Sequence, residues 1–172
     1  MRKSERLVIA KIISGGQTGV DRAALDVAME LGIECGGWCP KGRRAEGRPI
    51  PKRYPLQETS STAYPERTKR NVGDADATLI LTLREPRGGT ALTIRLARDL
   101  KKPCKRVKLN GAADVEGVRS WLEKKKINIL NVAGPRESDN PGIHSMACDF
   151  LRQLFDKHQE RKPCLKQRDG GF

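Results

Sequence analysis

Apolar positions fall along this chain in short blocks that alternate with segments where they recur every three or four residues. Residues 7–13 (LVIAKII) form a β-branched-rich run and predict a buried strand. The next segment, from Thr18 or Asp21 to Leu31, places Val20, Ala24, Leu25, Ala28 and Leu31 on one helical face. Gly32 follows as a helix-ending glycine. Residues 33–38 predict a short strand. Residues 62–72 predict a helix, 77–83 (ATLILTL) a strand and 90–100 a helix. Residues 104–109 alternate with charge and read as an edge strand. Residues 114–126 predict a helix with Val115, Val118 and Leu122 inward, and 127–133 (INILNVA) another strand. A helix from Ile143 to about His158 closes the series. Strands alternating with helices imply an α/β, Rossmann-like fold, with a mostly parallel sheet and helices on both faces. Ligands of such sheets bind at the carboxyl ends of the strands, where the strand order reverses.

Between the blocks, "CPKGRRAEGRPIPKRYPLQ" (39–57) carries four prolines and is strongly basic. The prolines argue against regular structure, and a loop of this length inside a domain is usually functional. The final segment, 160–172, is polar and reads as a tail to a single domain over 1–159.

Composition narrows the partners. The chain has 172 residues, 37% of them hydrophobic and 4% aromatic, with a net charge of +13. That size suits one domain, and that charge favours anionic partners. With few aromatics to stack single strands, nucleic acid ranks below a phosphate-bearing small molecule. Five cysteines form no C-x-x-C pair and no zinc set, so reduced thiols, a cytoplasmic setting and no metal site are expected. No apolar run approaches the roughly 20 residues of a membrane span.

Three strand-to-helix turns are rich in glycine: Gly15-Gly16-Gln17-Thr18-Gly19, Gly88-Gly89-Thr90 and Gly134-Pro135-Arg136. In a parallel sheet all three lie on one edge. Each precedes a helix whose first N–H groups are unpaired, which suits a phosphate. The first turn matches neither G-x-G-x-x-G nor the Walker loop. Thr18 and Thr90 can donate hydroxyls or cap their helices. Asp21 either interacts with the helix dipole or places a carboxylate beside the ligand. Arg22 is either solvated or meets a phosphate. Arg136 points toward the anion, and Lys41, Arg43 and Arg44 can fold over it from the basic loop. Asp74 and Asp76 lie at the opposite edge and read as structural, and His144 reads as a cap or a surface residue.

The segments "SGGQTGVDRAALDVA", "GGWCPKGRRAEGRPIP", "YPLQET", "RTKRNVGDADATLIL" and "GGTALTIRLARDLKKP" resemble the molybdenum carrier proteins. These form a circularly permuted, YpsA-like branch of the SLOG superfamily, which includes the lysine-decarboxylase-like LOG enzymes and DNA-processing protein A. The resemblance covers about residues 7–155. It implies a Rossmann-like fold, a homo-oligomer (dimer or tetramer), and a phosphate-bearing ligand. For the carriers that ligand is the molybdenum cofactor, a molybdopterin with a terminal phosphate. For the LOG enzymes it implies nucleotide phosphoribohydrolysis through a G-G-x-G-T-x-x-E motif. Here Thr93 stands where that Glu is expected, and only Asp21, three residues after Thr18, has the spacing to replace it. Pro135 stands where unpermuted relatives carry a small hydroxyl residue. The resemblance thus favours a binding or carrier protein, with a nucleotide-processing enzyme as the alternative.

Overall fold

The computed structural model describes residues 8–156. Five strands form one fully parallel sheet: β1 (Lys11–Ile13), β2 (Glu34–Gly36), β5 (Ala77–Thr82), β6 (Cys104–Lys108) and β7 (Ile129–Ala133), in the order β2-β1-β7-β5-β6. Two further two-residue strands, β3 (Trp38–Cys39) and β4 (Gln57–Glu58), pair with each other in parallel. Helices α1 (Val20–Glu30), α2 (Tyr64–Asp74), α3 (Gly88–Asp99), α4 (Val115–Lys124) and α5 (Ile143–Phe155) complete the fold. Helices α1, α4 and α5 form one layer, and α2 packs with α3.

Residue type explains these positions. All six residues of β5 are buried, because a central parallel strand is covered on both faces. On β6 only Val107 is buried, and the flanking Lys105, Arg106 and Lys108 mark the sheet edge. Small residues on α1 (Ala23, Ala24, Ala28) allow close approach to α5, whose Ala147, Leu151 and Leu154 join the same core. Asp76 accepts hydrogen bonds from the Asn128 and Ile129 amides at 2.9 and 2.8 Å, so it ties two strand starts together. Asp74 accepts from the Trp38 indole N–H at 2.8 Å.

The chain runs outward from β1 to β2 and, on the other side, from β5 to β6. The late strand β7 then returns between β1 and β5, with Ile12 beside Leu130 and Leu79 beside Val132. The strand order therefore reverses around β7, and the carboxyl ends there flank a crevice.

Several boundaries differ from those read from the sequence. The predicted 33–38 strand is broken at Gly37, where φ is +127° and a Cβ would meet the Ser14 carbonyl oxygen at 2.3 Å. Helix α3 starts at Gly88 rather than Thr90, so both glycines lie within its first turn. The 39–57 segment is bounded by the β3–β4 pair and has a 3-10 turn at Lys41–Arg43. Its Cys39, Ile50 and Tyr54 pack with Leu25 of α1 in a small second core. The last helix ends at Phe155, where Asp156 turns extended (φ −63°, ψ 120°), short of the His158 expected from the sequence; Leu7 and the 160–172 tail lie outside the described residues. Within the described residues, no helix is long and apolar enough to cross a membrane, and no cluster could hold a metal ion.

Candidate functional site

The three helix N-termini do share one edge, but they differ in what reaches them. At α1, the Val20 amide donates to the Pro135 carbonyl (3.3 Å) and the Arg22 amide to the Gln17 carbonyl (3.2 Å). The Gln17 amide donates to the Asp21 carboxylate, and the Thr18 amide donates to the Gln17 side chain. At α5, the Glu137 carboxylate accepts from the amides of Gly142 (2.5 Å) and His144 (3.0 Å). Both ends are thus closed by the chain's own acceptors. Helix α3 has no side-chain cap, and a Cβ added at Gly88 or Gly89 would meet nothing within 4 Å. Gly88, Gly89 and Thr90 at this N-terminus line a cleft.

That cleft has two adjoining halves, which share Arg67, Gly89 and Arg136. The outer half encloses about 440 Å³ around the start of α3, with Arg84, Arg87 and Gln17 on its walls. Arg84 and Arg87 are exposed and form no ion pair among the described residues. Gln17 is 6% exposed, and its Nε2 has no hydrogen-bond partner among the described residues, although its Oε1 accepts from Thr18 and Glu46. A buried N–H₂ group without an acceptor is costly, and Gln17 lines the outer half together with Gly88, Gly89 and Thr90. The inner half, about 260 Å³, is walled by Tyr64, Pro65, Leu92 and Ala133, with Asp21, Asn131 and Thr93 also lining it. The guanidinium groups of Arg44, Arg67 and Arg136 lie 5.0, 5.3 and 5.9 Å from the Tyr64 ring centre.

The buried Asp21 pairs at 3.2 Å with the partly buried Arg67, which lines both halves. Burial pushes the Asp21 carboxyl up. The Arg67 charge and the hydrogen bonds from Gln17 and Arg67 oppose that, and the net direction is upward. Arg67 reaches so far under the first turn that a Cβ on Gly15 would meet its Nη1 at 1.7 Å. Thr93 is buried and donates its hydroxyl to the Gly89 carbonyl at 2.8 Å.

Other residues singled out in the sequence take different places. Arg43 does not turn toward the cleft. Its guanidinium donates to the carbonyls of Ile50, Pro51, Tyr54 and Leu56, and so organises the basic loop from within. Lys41 is exposed and away from the cleft walls. Arg44 donates to the Thr62 carbonyl at 3.2 Å and reaches only the Tyr64 rim. Arg22 braces the first turn through the Gly16 carbonyl at 3.1 Å. Gly16 is covered by Ile50 and Leu56, and a Cβ on Gly134 would meet the Leu81 carbonyl at 2.3 Å. These two glycines serve close packing and leave no room for an anion. Thr90 is buried in the first turn of α3 and faces the outer half.

His144 is at the surface and bonds Asp26 at 2.8 Å, with Asp26 also accepting from Tyr54 at 2.8 Å. Burial, and then that hydrogen bond, push the Tyr54 hydroxyl up to about 12. Cys148 lies 3.9 Å from both His144 ring nitrogens, but burial pushes its thiol up to about 11, so no activated nucleophile results.

Glu46 is a residue the sequence did not single out. Its carboxylate accepts from the Thr18 hydroxyl and from Ser138 Oγ (2.5 Å), and Arg136 lies 3.7 Å away. It joins the basic loop to the first and third turns. Burial acts to raise its carboxyl, but the Ser138 and Thr18 hydrogen bonds and Arg136 outweigh it, and the net direction is below the ordinary 4.5. A lowered carboxyl gives stability that is present above its unfolded value and lost as pH falls through its folded value. Unfolding free energy is therefore expected to decline below about pH 4.5. A Glu46→Gln variant should show a shallower decline in urea titrations between about pH 3 and 5; an unchanged slope would remove Glu46 as the source.

The fold and cleft define a Rossmann-like α/β protein with an open, arginine-lined helix N-terminus at its topological switch point. The chain belongs to the circularly permutated YpsA SLOG family, whose model matches residues 12–155. A crystal structure of a protein named "Putative molybdenum carrier protein", from Syntrophus aciditrophicus SB, is similar at 44% identity. The likeness covers 88% of this chain and 98% of that one, with a TM-score of 0.83. No curated protein matches.

Two groups of cleft residues were missed in the sequence. Arg84 and Arg87 flank the second glycine turn in "REPRGG", and their proximity to it was a usable signal. Tyr64 and Arg67 lie on the predicted 62–72 helix, and Arg67 opens the segment "RTKRNVGDADATLIL", but nothing local marked them as site residues, because only the packing of α2 beside β7 brings them to the site.

Proposed function

We propose that this protein binds a phosphate-bearing heteroaromatic ligand of the pterin or nucleotide class, and that the molybdenum cofactor is the ligand its similar relative's name suggests. The open α3 N-terminus carries this reading, with Arg84 and Arg87 around it and Gln17 on the same wall. A terminal phosphate fits there, since backbone N–H groups, the helix dipole and arginines all favour a dianion. The inner half, with the half-buried Tyr64 ring and apolar walls, suits a flat ring system. The residues present therefore fit the cofactor: the α3 turn and its arginines would hold the phosphate, and Tyr64 would flank the pterin. The cofactor supplies redox-active molybdenum chemistry to the enzymes that use it, and a carrier needs only to hold it.

A nucleotide-processing reading is kept by one observation. Asp21 is a buried carboxylate on the wall of the inner half, and its carboxyl is raised. One experiment separates the two. Native protein is examined by mass spectrometry, then extracted and oxidised to reveal pterin fluorescence, while apo-protein is incubated with AMP. Pterin recovered, or acquired on mixing with the cofactor, is the expected result. Release of adenine from AMP, abolished in Asp21→Asn, would favour the enzyme instead. Neither pterin nor nucleotide bound would sink the proposal.

A further inference from the structure

The outer half of the cleft carries two carboxylates that ought to oppose its ligand: Asp139, which pairs with Arg136 at 3.6 Å, and Glu85. Glu85 lines the same wall as Arg84, Arg87 and the α3 N-terminus, and its side chain is 78% exposed. A free carboxylate two residues from Arg87 would repel a dianion. Arg106, from the edge strand β6 and not itself on the cleft wall, prevents this. Its Nη1 and Nη2 grip the Glu85 carboxylate in a bidentate pair, both at 2.9 Å. The same guanidinium donates to the Arg84 carbonyl and to the Thr82 hydroxyl, both at 3.2 Å. Thr82 is fully buried at the end of β5, so the guanidinium is fastened to the sheet.

We propose that Arg106 is a positioning residue for the anion site: it masks the Glu85 carboxylate and holds it away from a phosphate bound at the start of α3. The proposal rests on the phosphate reading given above. A planar, forked guanidinium can serve the carboxylate, the turn carbonyl and the threonine hydroxyl at once, whereas an ammonium cannot hold that geometry. The Glu85 carboxyl is held below its ordinary range by the hydrogen bonds and charge of Arg106, in keeping with a masked anion. Arg106 leaves Arg84 and Arg87 as the uncompensated cations of the wall.

The test is calorimetric titration of the full-length protein with inorganic phosphate and with AMP, at low and at ~0.3 M salt. Wild type, Arg106→Gln, Glu85→Gln and the double variant are compared. Arg106→Gln is expected to bind about tenfold more weakly at low salt, with the gap narrowing as salt screens it. The double variant should return to near wild-type affinity, because the repelling carboxylate is gone. Glu85→Gln alone should bind at least as tightly as wild type. A merely structural role for Arg106 would not be rescued by removing Glu85. Wild-type affinity in Arg106→Gln, or a double variant as weak as Arg106→Gln, overturns the proposal alone. Wild type binding neither probe overturns the phosphate reading, and this proposal with it.

Discussion

Gly89→Asp is expected to leave the fold intact and to lower phosphate affinity by at least about 100-fold. A Cβ at this position meets nothing within 4 Å, and φ there is not positive, so the substitution has room and no backbone strain. An acidic residue in a helix's first turn is favourable by about 0.3–1 kcal/mol, and aspartate also exceeds glycine in helix propensity. The melting temperature should thus match or exceed wild type. The carboxylate, however, stands where the phosphate would meet the amides. Two unit charges about 4 Å apart at an effective dielectric near 20 repel by about 4 kcal/mol. A phosphate dianion doubles that, so the ~2.7 kcal/mol of a 100-fold loss is reached even when about two thirds of the repulsion is screened. Thermal melts and phosphate titration decide it. Wild-type affinity in a folded variant would show that phosphate does not bind at α3.

Gly19→Ala is expected to do the opposite, damaging the fold by about 4 kcal/mol. The N-cap of α1 sits at φ +80°, ψ −128°, a region that an L side chain rarely adopts. Such strain costs about 1–3 kcal/mol. The added methyl would also lie 2.4 Å from the Pro135 carbonyl oxygen and 2.8 Å from the Glu137 amide nitrogen. Both are backbone atoms of the β7–α5 turn, so no flexible side chain can move aside, and overpacking adds about 1–3 kcal/mol. For a domain of this size the melting point should fall by about 8–16 °C. Gly32→Ala is the control: φ is +68° but nothing lies within 4 Å of its Cβ. Strain alone should cost it about 1–2 kcal/mol. Equal losses at the two positions would show that contact with the third turn is not what Gly19 provides.

The two glycines express a distinction the sequence could not make. Gly19 and Gly89 both sit in glycine-rich strand-to-helix turns, and both suggested a phosphate cradle. In the fold, Gly19 is pressed against a neighbouring turn, whereas Gly89 faces open space. Crowding at a glycine depends on what another part of the chain places there, and Pro135 lies far from Gly19 in sequence. The basic loop shows the same limit. Its arginines looked alike in the sequence, but Arg43 is used up on four carbonyls of its own loop, and Arg44 reaches only the rim.

By itself the sequence determined the alternation of strands and helices, the β5 strand, the charged edge at β6 and the placing of three glycine turns on one edge of the sheet. These follow from local periodicity, residue type and the parallel connection of neighbouring elements, which act within one element or between adjacent ones. Only the tertiary structure decided which of three similar helix N-termini is open, because Asp21, Gln17, Pro135 and Glu137 close the other two. It also decided that Arg67 and Tyr64 from α2 and Arg84 and Arg87 from the β5–α3 turn surround one cleft. Those outcomes depend on β7 inserting between β1 and β5, a long-range pairing whose energetics no single segment of the chain contains.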